Sequence, residues 1–190
     1  MQERKPRFLG AFLSQGELDI FGDGFAAVGD TMNGGRIYLH GDAGDVAGYA
    51  MWGGALYIRG NAAHRAGIHM KATATLVIGG SAGDFLGEYQ AGGTIIVLGL
   101  TSEEPLLGDN PFAGMHGGKV FLRGNMAGLQ LPDHVVARPA DEAEMAFILP
   151  HLQAWAEKFS YSLEEILSLP FTVAESSTHR PYRSLYTAEN

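Results

Sequence analysis

An all-β fold, a parallel β-helix with a short helical C-terminal extension, is what this 190-residue chain predicts from three observations. One is a repeated phrase: GDVAGYAMWGGALYIRG at 44–60 returns as GDFLGEYQAGGTIIVLG at 83–99. The second is the period, since the glycines closing successive phrases fall at 41, 60, 80, 99 and 124, in steps of 19, 20, 19 and 25. Self-similarity at a fixed short period is the mark of a solenoid. The third is composition: 27 glycines, about twice the usual share of roughly 7%, need a structural cause such as repeated corners.

Each unit is justified in the same way. Short apolar runs such as Ile37-Tyr38-Leu39 and Ile95-Ile96-Val97 are rich in β-branched residues and too brief for helices, so each unit carries one strand. A weaker LDIFG ending at Gly22 opens the series 19 residues before Gly41. The Gly-Gly pairs at 34–35, 53–54, 92–93 and 117–118 mark corners with φ > 0 or close backbone approach, and Ala72-Thr73 breaks that rule in the third coil. Stacking makes columns of equivalent positions. Met32, Met51, Met70, Gln90 and Met115 form one and Ala43, Ala62 and Ala82 another, both read as core. Asp23, Asp42, Asn61, Ser81 and Asn125 form a third, expected to bond local backbone at turns.

Between inward Ile37 and Leu39 lies Tyr38, and its column continues through Tyr57, Val77, Ile96 and Phe121. That outward apolar stripe requires a cover, either the chain's own C-terminal segment or another subunit. A helix is expected from about Asp141, with Met145, Ile148, Leu149, Leu152 and Trp155 on one face and Pro150 as a potential kink. A second, short helix begins at Ser162, which caps Leu163-Glu164-Glu165. The insertion Thr101–Phe112 breaks the period and should loop outward. The division expected is a β-helix over 1–138 and a helical and extended tail over 139–190 that packs on it or on a partner.

Composition narrows the function. With 46% hydrophobic and 18% charged residues the chain suits a compact protein. Having no cysteine, it offers no thiol nucleophile, disulfide or cysteine-ligated cluster, and a cytoplasmic location is expected. No signal peptide or membrane span is read from it. The net charge of −8, with eight acids against three bases in residues 139–190, argues against a nucleic-acid surface. No helical pattern follows the glycines, so a dinucleotide-binding reading fails; there is no P-loop motif, and Ser81 in GGSAGD sits at a coil corner rather than a nucleophile elbow.

Two columns carry chemistry. Asp45, His64 and Asp84 occupy one position of successive coils, which sets an imidazole between two carboxylates; this is either a surface charge ladder or a site for a cation. Asn33, Trp52, Lys71, Ala91 and His116 form a varied, exposed column in which Trp52 suits an interface.

The phrases HGDAGDVAGYAMWGGALYIRG, HRAGIHMK and GGSAGDFLGEYQAGGTIIVLGL, followed by GMHGGKVFLRG, resemble the GXGXG domain at the C-terminal end of the glutamate synthase large subunit, over about residues 16–128. The ending RPYRSLY (180–186) is similar to that of stand-alone versions of this domain. A more distant likeness is to the C subunit of formylmethanofuran dehydrogenase. The resemblance implies a right-handed β-helix with no catalytic, cofactor-binding or metal-binding residue of its own. It would scaffold separate glutaminase and FMN/iron–sulfur subunits in glutamate synthesis from glutamine and 2-oxoglutarate, and leaves room for a homo-oligomer. The alternatives kept are a scaffold in a formylmethanofuran dehydrogenase-like or methylated-glutamate synthase complex, and an independent metal-dependent protein using Asp45, His64 and Asp84.

Overall fold

The computed structural model describes residues 7–101, 105–126 and 128–178. Six strands are laid down one per coil: β1 (Glu17–Ile20), β2 (Asn33–Leu39), β3 (Gly53–Ile58), β4 (Thr75–Ile78), β5 (Ala91–Val97) and β6 (Gly117–Arg123). Each pairs in parallel with the next, so Ile37, Leu56, Leu76, Ile95 and Val120 share one register position and Tyr38, Tyr57, Val77, Ile96 and Phe121 the next. A parallel β-solenoid with coils of about 19 residues is therefore the fold. A second, narrower ladder of single bridges runs through Gly24, Ala43, Ala62, Ala82 and Leu107 on another side.

The interior is filled by the columns the repeat defines. Met32, Met51, Met70, Gln90 and Met115 are all fully buried, and Ala43, Ala62 and Ala82 are nearly so. The small alanine lets two sides of the coil approach while the long methionine fills the wider part, which keeps the core dense. The Gln90 amide nitrogen donates to the carbonyls of Gly92 (3.0 Å) and Gly93 (3.3 Å), while its buried Oε1 accepts no hydrogen bond. The corners take glycine for a physical reason: Gly54 has φ 76°, and a Cβ there would press on the carbonyl carbon of Gly34 and the carbonyl oxygen of Gly35. The third coil turns the same corner with Ala72 at φ 47° and Ala74 buried behind it.

The insertion does not loop outward as a whole. Thr101 and Pro105 are exposed, residues 102–104 lie outside the described residues, and the rest rejoins the coil: Leu107 bridges Ala82, and Phe112, at φ 63° in the slot that Gly87 fills one coil earlier, is fully buried. Burial of that ring in the core outweighs the roughly 1–2 kcal/mol cost of its left-handed backbone.

The tail closes the solenoid in two ways. Strand β7 (Val135–Pro139) leads into helix α1 (Glu142–Phe159) and helix α2 (Leu163–Leu167), and β8 (Phe171–Ser176) follows. β8 adds antiparallel to β6, with β7 outside it, giving the sheet order β1-β2-β3-β4-β5-β6-β8-β7. Reversing direction ends the growth of the parallel stack and pairs an edge that would otherwise be open. The apolar run in 171–176 is short, but Phe171 and Val173 are buried against the outward stripe and Ala174 against the interior.

Helix α1 starts at a capping box, Asp141 accepting from the Glu144 N–H and Glu144 from the Asp141 N–H. It runs through exposed Pro150 and buries Ile148, Leu152, Trp155, Ala156 and Phe159, while Met145 and Leu149 are half-buried. These side chains meet Tyr38, Tyr57, Val77, Ile96 and Phe121, so the chain covers its own stripe. The Trp155 indole N–H donates to the Ile58 carbonyl (2.8 Å), and bare Gly79 makes room for its ring. Both ends are fastened by charge: Glu144 to Arg138 and Lys119, and Lys158 to Asp19 (2.8 Å). Helix α2 is capped by Ser162, whose hydroxyl accepts from the Glu165 N–H.

Candidate interaction face

With the strand side under α1, the sides left uncovered are the turns between Ala43-type bridges and the Met column. Each turn alternates left-handed residues: Val46, Gly48 and Ala50; Arg65, Gly67 and His69; Phe85, Gly87 and Tyr89. The strain is offset by inter-coil hydrogen bonds, as from the Val46 N–H to the His64 carbonyl (2.9 Å) and from the Arg65 N–H to the Asp84 carbonyl (2.8 Å). Such a backbone throws the side chains of the left-handed residues outward while Ala47, Ala66 and Leu86 point into the core.

Several residues on this face, Tyr49, Trp52, Arg65, His69, Lys71, Phe85 and Tyr89, are aromatic or basic. The His69 ring stacks on Tyr89 (5.4 Å between centroids) and meets Tyr49 edge-on (6.0 Å). Arg65 lies over Phe85 (5.1 Å) and Lys71 over Trp52 (5.0 Å). Tyr49 and Tyr89 are each 39% exposed and Trp52 is 52% exposed. Rigid aromatic rings held in a row, interleaved with Arg, Lys and His, have the composition of a protein-binding surface. Trp52 is exposed as the sequence suggests; Tyr49, His69 and Tyr89 were missed, although they stand one or two places before the Met51, Met70 and Gln90 column.

The acidic columns are structural, in a way that local turn chemistry does not anticipate. Asp23, Asp42 and Asn61 accept not from their own turn but from the backbone N–H of the next coil, at Asp42 (2.9 Å), Asn61 (2.7 Å) and Ser81 (2.9 Å). Asp45, His64 and Asp84 do likewise: Asp45 accepts from the His64 N–H (3.2 Å), His64 Nδ1 from the Asp84 N–H (3.1 Å) and Asp84 from the Asp109 N–H (2.8 Å). Asp45 thus engages the backbone of His64, and the imidazole is not clasped between two carboxylates. Its Nδ1 lies 3.3 Å from Asp84 Oδ2, with the His64 side chain 59% exposed. Among the described residues no group of three His, Asp or Glu side chains is disposed to hold a metal ion. Nor is any helix there long and apolar enough to cross a membrane.

A protein of Methanocaldococcus jannaschii, described as the uncharacterized protein MJ1350, is 35% identical over 121 residues. The match takes in 60% of this chain and 46% of that protein, so the chain spans about half the length of the curated relative it matches. The model of the GXGXG motif family matches residues 7–169, which takes in every coil, the covering helix and α2. The chain belongs to the GXGXG motif family.

Proposed function

We propose that this chain is a non-catalytic scaffold subunit of a glutamate-synthase-type oxidoreductase in the cytoplasm, holding glutaminase-type and FMN/iron–sulfur subunits together during glutamate synthesis. The observation that carries this reading is the asymmetry of a family-member solenoid: its strand face is sealed by its own helix, while its turn face presents Tyr49, Trp52, His69 and Tyr89 to solvent. A body whose polar columns are consumed in coil-to-coil bonds supplies rigidity and surface rather than reacting groups. The resemblance to the glutamate synthase domain supports this choice of assembly.

Native purification from the source cell through a tag on this chain tests the proposal. Mass spectrometry should identify flavin-binding and glutaminase-like subunits, with a flavin spectrum and glutamine-dependent glutamate formation in the same fraction. Recovery of formyl-transferring subunits instead assigns the scaffold to the other kind of assembly. Recovery of the chain alone, colourless, overturns the scaffold role.

A further inference from the structure

Beside the stripe covered by α1 runs a second outward column, Arg36, Ala55, Thr75, Thr94 and Lys119, one residue from each of β2 to β6. Helix α1 does not close over its middle. A cleft of about 520 Å³ remains between that column and Phe147, Pro150, His151 and Ala154 of the helix. In a chain of net charge −8, Arg36 is the one charged residue among the described residues that lines it, and no Asp or Glu among them does.

The polar groups inside converge. His151 lies with Nδ1 3.0 Å from the Tyr57 hydroxyl and Nε2 3.4 Å from the Thr75 hydroxyl. Burial first, and the Arg36 charge second, hold the imidazole below its ordinary pKa, while burial pushes the Tyr57 phenol up to about 12. A neutral ring beside a protonated phenol lets Tyr57 donate to Nδ1 and Nε2–H donate to Thr75, which leaves the Thr75 hydroxyl hydrogen for the cleft. Arg36 spends NH1 on Glu17 (2.9 Å), and a guanidinium has four further N–H hydrogens at most to offer. Ala55, between Arg36 and Thr75, keeps the floor low over a gap of two rungs, about 10 Å. The wall towards Thr94 is apolar, with Phe147 59% exposed.

We propose that this cleft binds a small carboxylate with a short apolar body, the carboxylate between Arg36 and Thr75 and the body over Thr94 against Phe147 and Pro150. Donors in a cleft that no acid lines, with Glu17 engaging only one nitrogen of Arg36 from outside it, select an anion, and the apolar wall selects what the anion is attached to. The site stands independently of the scaffold role, since it lies on the helix side and not on the aromatic turn face.

Benzoate, with benzamide as its uncharged counterpart and acetate as its truncated one, is titrated into the full chain while the His151 ring resonances are followed by NMR. Benzoate should shift them saturably with Kd in the millimolar range, and benzamide and acetate should bind about tenfold or more weakly. Arg36→Gln and Phe147→Ala alter exposed side chains and should keep the parent circular dichroism spectrum; each should weaken benzoate, Arg36→Gln by about tenfold. The proposal is overturned if His151 shows no saturable shift, if Arg36→Gln titrates like the parent, or if acetate or benzamide matches benzoate.

Discussion

Removing the Trp155 side chain is the most searching perturbation of the way the tail is docked. Trp155 is fully buried, packs on Phe159 and Tyr161, and donates to the Ile58 carbonyl at 2.8 Å. Burying an indole removes about 200 Å² from water, worth at most about 5 kcal/mol at 25 cal/mol per Å². Large-to-small aromatic substitutions in cores cost about 3–5 kcal/mol, so Trp155→Ala should lose about 4 kcal/mol. Trp155→Phe separates the terms. The Ile58 carbonyl still accepts from the Gly79 N–H at 2.9 Å, so it is not orphaned and the lost hydrogen bond costs only about 1 kcal/mol. A smaller ring leaves a small void, for a total of about 2 kcal/mol. Urea unfolding followed by far-ultraviolet circular dichroism, with dye binding to exposed apolar surface, measures both. A Trp155→Ala loss below about 1 kcal/mol, with no new dye binding, would refute the claim that this helix seals the stripe.

Three further substitutions probe the polar framework. Glu144 is held at about 2 first by its paired bonds to Arg138 and then, against burial, by Lys119 and the Asp141 N–H. A folded pKa depressed below the usual 4.5 stabilises the fold above that value, and the contribution fades as pH falls from about 4.5 through about 2. With the Arg138 and Lys119 side chains partly exposed, about 2 kcal/mol is the scale, so Glu144→Gln should be less stable at pH 7 and show a flatter acid-unfolding profile; identical profiles would contradict the lock. In the coil-to-coil ladders, Asn61→Ala strips the half-buried Ser81 N–H of its acceptor and should cost about 1–2 kcal/mol in denaturant titrations, whereas His64→Ala exposes an N–H that water can reach and should cost less than about 1 kcal/mol. A large loss of any activity on His64→Ala at unchanged stability would restore the independent-protein reading.

The coils were legible because a period near 20 forces equivalent residues into register, so the columns of Met51, Ala62 and Tyr57 could be named from spacing alone. Helix α1 was legible from its acidic start and apolar face. What covers the stripe was not, because an apolar face does not state its partner; only the contacts of Ile148, Leu152 and Trp155 do. β8 was hidden for a different reason: FTVAES is a single short run outside the repeat, and its antiparallel pairing to β6 is a contact with residues about fifty positions earlier. The destination of the Asp42 side chain was missed because turn propensity describes bonds within a turn, and that of Asp45 because ladder spacing paired it with the His64 ring, whereas stacking places the next coil's N–H within reach of both.

The turn face is the point at which fold and function meet, and one measurement bears on it most directly. A chain with Tyr49, Trp52 and Tyr89 all replaced by serine loses part-exposed rings and their contacts with His69 and Lys71, so it should be less stable by about 1–3 kcal/mol yet keep the parent circular dichroism spectrum. Tagged and purified natively beside the parent, it should come out without the flavin and glutaminase-type subunits that the proposed function expects the parent to bring. Recovery of the same subunits in the same amounts by the folded triple variant would contradict the assignment of this face to partner binding.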